Sequence, residues 1–345
     1  MNNSTPVCEY WNDNRSGKTY LVILRNDPVS LVQLIINLAG VLGNGLVIAL
    51  LRKHALGGRL PTIFFRSQAT LDLVVNTESI MFGIRSELWS VRTEWLNRLI
   101  CRLWHSQFLF WYSVQLSIGN MVLIGTERFL ALSFPILYQR LRPTEIALYC
   151  MIGNAVYNVF LAIPNILETG VEAGCCVSQH DMYPMSILLS AYSIVWFVMI
   201  YVFALVLLIF IYGGIVIALR QSATISRAIQ PSVAMMRFTR MAIVITVVYV
   251  TFVSYDAFAY LTGRIGLWNY HYNTIWHKLG MLSVSLNSFA NPYIYYLFVL
   301  HDSWKRKFKT KSFKMRIVSN QWQDSQNSQQ SNHIRSKQSG LVNGQ

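Results

Sequence analysis

Five stretches of this chain, 28–51, 103–126, 146–167, 182–219 and 279–300, contain no Asp, Glu, Lys or Arg. Each reaches the roughly 20 residues that a helix needs to cross a bilayer. Two further stretches are apolar but interrupted: 61–84 holds Arg66, Asp72 and Glu78, and 241–261 holds Asp256. Both read as helical spans with a polar stripe, because charged groups inside a span turn toward the bundle. The expected fold is an all-α integral membrane protein, a seven-transmembrane helix bundle. With 53% hydrophobic and 13% charged residues over 345 positions, an ordinary soluble domain is excluded.

The last charge-free stretch contains Asn287-Ser288-Phe289-Ala290-Asn291-Pro292-Tyr293-Ile294-Tyr295. Lipid offers such a cluster no hydrogen bonds, so it must face protein or a water-filled cavity. Pro292 also deprives the carbonyl one turn earlier of its amide partner. Glu127-Arg128-Phe129 follows another charge-free stretch, with Pro135 just beyond. With the complete N-P-x-x-Y match at Asn291, Pro292 and Tyr295, these residues resemble the rhodopsin-like (class A) G-protein-coupled receptors. The resemblance covers about residues 28–316.

Basic residues orient the spans. Arg52, Lys53 and Arg59 follow the first span, Arg140 and Arg142 the third, and Arg220, Arg227 and Arg237 the fifth. Lys305, Arg306, Lys307, Lys309, Lys311, Lys314 and Arg316 join them on the same side. The expected protein lies in the plasma membrane, amino terminus outside and carboxyl terminus inside. Its parts are an extracellular amino terminus (1–27), the bundle (28–300), a short amphipathic basic helix at the inner face (301–316) and a disordered Gln-, Ser- and Asn-rich tail (317–345). The net charge of +14 suits anionic lipid and does not imply nucleic acid. Asn2, Asn3 and Asn14 each begin a glycosylation sequon.

The resemblance implies roles. Glu127 holds Arg128 until the bundle opens, after which Arg128 offers its donors to a partner or to Tyr212. Tyr212 and Tyr295 match the tyrosines that reorganise around that arginine, and Phe252 stands at the family's toggle tryptophan. Asn44, Asp72, Ser117, Asn287, Ser288 and Asn291 resemble a buried water and sodium site. The alternative is a hydrogen-bonded network without metal. Of five cysteines, Cys150 falls in the fourth span. The resemblance implies a disulfide from Cys101 to Cys176 or Cys175, leaving the other to pair with Cys8.

Several positions depart from the family pattern. Ala234 stands where many relatives place an acid that clamps the arginine. Asn154 replaces a tryptophan ten residues before Pro164, and Ala204 and Ser254 replace prolines that kink the fifth and sixth spans. Cys101 lies two residues further from Arg128 than is usual, which hints at a bulge. Phe110 replaces the aspartate of aminergic relatives and Ser285 the lysine of opsins, so both classes are disfavoured.

Glu78 and Asp256, with Phe110, Tyr255 and Trp276 and the aromatic rings of Trp104, Tyr192 and Trp196, form a candidate ligand pocket. Two acids among aromatic rings suit a cationic group. They would otherwise pair with Arg85, Arg264 or Lys278. A basic or amidated peptide is the favoured ligand. No phosphate loop, zinc motif or nucleophile elbow suggests an enzyme. The expected function is a cell-surface receptor that turns binding of an extracellular ligand into activation of a heterotrimeric G protein. The rivals are a non-signalling scavenger of the same fold and a seven-helix transporter or channel.

Overall fold

The computed structural model describes residues 28–53, 58–83, 93–172, 175–178, 184–224, 233–268 and 274–300. The three sequons, Cys8 and the expected amphipathic helix at 301–316 lie outside these residues.

In chain order the elements are α1 (Pro28–Lys53), α2 (Arg59–Gly83), α3 (Glu94–Ile100), a π-helical turn (Cys101–His105), α4 (Phe108–Ser133), α5 (Pro135–Arg140), α6 (Pro143–Ile166), β1 (Thr169–Glu172) and β2 (Cys175–Ser178). There follow α7 (Met185–Trp196), a π-helical stretch (Phe197–Val202), α8 (Phe203–Thr224), α9 (Val233–Arg264) and α10 (Ile275–Tyr295).

Among the described residues, five helical runs are long and apolar enough to cross a membrane: α1, α4, α6, the run Ser186–Arg220 through α7 and α8, and α9. α2 and α10 have 25 and 21 residues but fall short in apolarity. For α10 this reverses the weighting drawn from charge alone. Its serines and asparagines carry no charge, yet they lower its hydropathy more than the single Asp256 lowers that of α9. α4 also runs on to Ser133, beyond the charge-free stretch that ends at 126. Its two charged residues stay inside the helix because they neutralise each other, as described below.

The helices turn apolar side chains outward and bury polar ones alongside an apolar core. α1 exposes Ile35, Leu38, Leu42 and Leu46 while burying Asn37 and Asn44. α6 exposes Tyr149 and Phe160 and buries Asn158 and Asn165. A water-soluble protein shows the reverse pattern at its most buried positions. This arrangement belongs to a multi-pass membrane bundle, where lipid takes the apolar face and polar groups must find protein partners.

α4 is the central helix and packs on α2, α6 and α8. Its contact with α6 rests on Gly119, where an added Cβ would stand 1.9 Å from Asn154 Oδ1. Asn154 Nδ2 donates to the Leu116 carbonyl at 3.0 Å, and Asn158 donates to Asn154 Oδ1 at 2.7 Å. The asparagine at the departed tryptophan position thus joins two helices by hydrogen bonds where a ring would have packed.

The wide Cys101–Arg128 spacing has a structural counterpart. Cys101 lies in the π-helical turn, and Gln107 then adopts the left-handed conformation (φ 57°) before α4 begins. Ser106 Oγ braces the break by accepting the Phe108 N–H at 3.2 Å and donating to the Arg102 carbonyl. A second π-helical stretch ends just before Ala204, the other departed proline position in α8. There Tyr201 bonds Ser254 Oγ at 2.5 Å, and Ser254 donates to the Val250 carbonyl.

The all-α expectation misses one element. β1 and β2 pair antiparallel, with Val171 opposite Cys176. A Cys101–Cys176 disulfide joins this hairpin to the π-helical turn, with a Cα–Cα distance of 5.5 Å. Thr169 Oγ1 reinforces the junction by donating to the Cys101 carbonyl at 3.0 Å. The chain divides into two units after Ile294. The described part of the second comprises Tyr295, which ends α10, and a π-helical turn over Tyr296–Leu300.

Candidate functional site

Asp72 is wholly buried in α2, and three helices supply its partners. Asn291 Nδ2 on α10 donates to Oδ2 at 2.7 Å, and Ser117 Oγ on α4 donates to Oδ1 at 3.1 Å. Gln68, one turn earlier on α2, places Nε2 at 3.2 Å from both carboxylate oxygens and at 2.6 Å from Ser117 Oγ. Ser288 also bonds the carboxylate. The Gln68 amide is oriented in turn, since Asn120 Nδ2 donates to its Oε1 at 2.9 Å. Asn44 Nδ2 on α1 donates to the Ser288 carbonyl at 3.1 Å. Asn287 is buried near this cluster in sequence, but its Oδ1 has no hydrogen-bond partner among the described residues.

These bonds decide how well a cation fits. An ionised carboxylate offers about four lone-pair sites. Asn291, Ser117, Ser288 and the two contacts of Gln68 supply at least that many donor contacts. A sodium ion would need those oxygens, and an amide NH2 repels it. The residues present therefore do not fit the bound sodium that the resemblance implied.

A second cluster lies near the opposite end of α4 from the disulfide. The Arg128 and Glu127 side chains are only 5% and 2% exposed. Arg128 Nε and Nη2 donate to Glu127 Oε2 and Oε1, each at 2.5 Å. Tyr138 on α5 donates to the same Oε1 at 2.5 Å. Burial and the Glu127 charge hold the Tyr138 hydroxyl above its ordinary pKa, so it stays protonated as a donor. Tyr212 on α8 accepts from Thr246 on α9 at 2.9 Å. Phe252 is half-buried on α9, Pro292 packs close to Gly43 of α1, and Tyr295 is the last residue of α10.

Toward the disulfide end, the expected ligand contacts separate. Glu78 bonds Ser113 on α4, while its Oε2 is buried without a hydrogen-bond partner among the described residues. Phe110 is fully buried, its ring 6.0 Å from Phe82 and edge-on to it. Asp256 is buried, but its neighbour Tyr255 lines an apolar groove of about 340 Å³ along α9, with Phe258, Thr262 and Trp268. Trp276 is 41% exposed and packs on Trp268 at 4.7 Å between ring centroids, the rings tilted by 39°. Arg264 pairs with Glu168, in the turn after α6, and lies 5.0 Å from the Tyr260 ring centroid. Burial raises the Glu168 pKa, and Arg264 offsets part of that rise.

Sequence reasoning passed over Gln68, Asn120, Tyr138 and Glu168. A signal existed for Gln68, which lies four residues before Asp72 and so on the same helix face. Tyr138 carries no comparable local signal, because its partner is eleven residues away across a bend.

Residues 43–295 match the sequence model of the family described as 7 transmembrane receptor (rhodopsin family). No curated protein matches the chain.

Proposed function

The chain belongs to the rhodopsin family of 7 transmembrane receptors, and from that premise we propose that it is a cell-surface receptor coupling an extracellular ligand to a heterotrimeric G protein. In this reading α2 and α10 are spans too, making seven, with the amino terminus outside and the Arg128 end facing the cytoplasm. The basic residues that flank this end, Arg52, Lys53, Arg140 and Arg142, support that orientation.

One observation carries the reading. Arg128 is buried, and among the described residues its side-chain hydrogen bonds run to Glu127, which Tyr138 holds from α5. None of these bonds involves α9. An outward movement of α9 thus need not break an ion pair to Arg128, and the arginine then meets a partner at the exposed end. A ligand shifts such an equilibrium only by binding one state better than the other. Two acids on the disulfide side, the half-buried Glu78 and the buried Asp256, favour a ligand with a cationic group, and a basic or amidated peptide is the leading class. Nucleotide exchange by heterotrimeric G proteins in membranes carrying the protein, challenged with basic peptides and amines, tests the reading. Peptide-stimulated exchange supports it. Saturable peptide binding without exchange on any G-protein class would make the protein a binding receptor instead.

A further inference from the structure

The Asp72 cluster resembles a cation site in its residue types but not in its hydrogen bonds. The difference is Gln68. Its Nε2 faces three acceptors, both Asp72 oxygens and Ser117 Oγ, while Asn120 fixes which end of the amide points there. Asn120 is anchored in turn by donating to the Phe64 carbonyl at 3.1 Å. The chain Phe64–Asn120–Gln68–Asp72 therefore presents a donor to the carboxylate from one fixed direction. All four residues are buried, with exposures of 1% for Asn120, 3% for Gln68 and 0% for Asp72.

We propose that the Gln68 side-chain amide is a tethered substitute for a cation, so that the Asp72 cluster is complete without sodium and the protein is insensitive to it. A cation and an amide satisfy a buried carboxylate by the same electrostatic means, a positive pole against the oxygens. The amide differs in being covalently attached. It is present at any salt concentration and cannot exchange with solvent, so sodium adds nothing to stability by mass action. Removing the amide reopens the lone pairs on both carboxylate oxygens. Ser117 Oγ and Asn291 Oδ1, the latter without a hydrogen-bond partner among the described residues, then supply oxygens of the kind a hard cation takes. The Asn287 and Asn291 oxygens otherwise suit water, which donates to them.

The test reads unfolding temperature, so it is independent of ligand and G protein. The purified full-length protein is unfolded in NaCl and in N-methyl-D-glucamine chloride at equal ionic strength. The unmodified protein is expected to unfold at the same temperature in both. Gln68→Ala should unfold on the order of 2 °C or more higher in NaCl than in the organic salt, saturably, and Gln68→Ala/Asp72→Asn should lose that difference. A saturable, sodium-specific rise in the unmodified protein that Asp72→Asn removes would overturn the proposal, even if the Gln68 variant fails to fold. A folded Gln68→Ala protein without a sodium response would overturn it too, because the amide would not be what excludes the ion.

Discussion

The Tyr138 hydroxyl donates to Glu127 Oε1, the same oxygen that receives Arg128 Nη2. The acid that restrains the arginine is thus itself restrained by the segment after α4. A bond to a charged group contributes about 1.5–3 kcal/mol, more than a neutral one. If it forms only in the closed bundle, its loss moves the equilibrium toward the open one by roughly tenfold or more. Tyr138→Phe keeps the ring and removes the donor. It is expected to raise ligand-free nucleotide exchange above that of the unmodified protein at equal surface density. Unchanged or lower exchange would show that this hydroxyl does not restrain the switch.

The turn after α6 gives a pH-dependent prediction. Burial raises the Glu168 pKa above the usual carboxylate value despite Arg264. A raised folded-state pKa means that this group's contribution is fully present below the unfolded pKa and is lost as pH rises through the folded one. Arg264→Ala removes the offsetting charge and pushes the Glu168 pKa further up. The unfolding temperature of that variant should fall more steeply with rising pH, from the carboxylate range toward neutrality, than that of the unmodified protein. Adding Glu168→Gln should abolish the extra slope. Equal slopes in the Arg264→Ala and unmodified proteins would contradict the pairing.

Gly119 and Asn154 form a contact with no spare volume. An alanine methyl at 119 would meet Asn154 Oδ1 at 1.9 Å and Cγ at 2.7 Å. Asn154 cannot yield without giving up its bonds to the Leu116 carbonyl and to Asn158. Gly119→Ala should therefore lose about 1–3 kcal/mol, the usual range for overpacking. Asn154→Ala in the same chain should recover part of the loss. Thermal unfolding of the two single variants and the double variant measures this coupling. A Gly119→Ala protein as stable as the unmodified one would refute the contact.

Much of this architecture was legible in the sequence because lipid imposes a simple rule on it. Long charge-free runs became α1, α4, α6 and the α7–α8 run, with ends displaced by a few residues. The polar residues stranded in those runs pointed to the interior, and Asp72, Ser117 and Asn291 meet there. Less legible was anything decided by a partner distant in sequence. Gln68 looks like a stray amide in an apolar helix until Ser117 and Asn120 arrive from α4. The left-handed Gln107 has no composition signal, since Gly or Asn would be the usual markers of that conformation. The β1–β2 hairpin has only four residues per strand, too few for alternation to register.

The central claim is that Arg128 couples the bundle to a G protein, and one comparison tests it most directly. The Arg128 guanidinium is buried and, among the described residues, bonded to Glu127, which Tyr138 also holds, near the opposite end of α4 from the disulfide. Its removal should spare ligand recognition except through the two-state coupling, typically about 1–3 kcal/mol. The measurement is nucleotide exchange on heterotrimeric G proteins by membranes carrying equal surface levels of the unmodified protein and of Arg128→Ala, without ligand and with the peptide panel. The expected result is exchange above empty membranes for the unmodified protein, already without ligand because Ala234 supplies no acidic clamp, and a return to background for Arg128→Ala. Exchange by Arg128→Ala equal to that of the unmodified protein would contradict the claim.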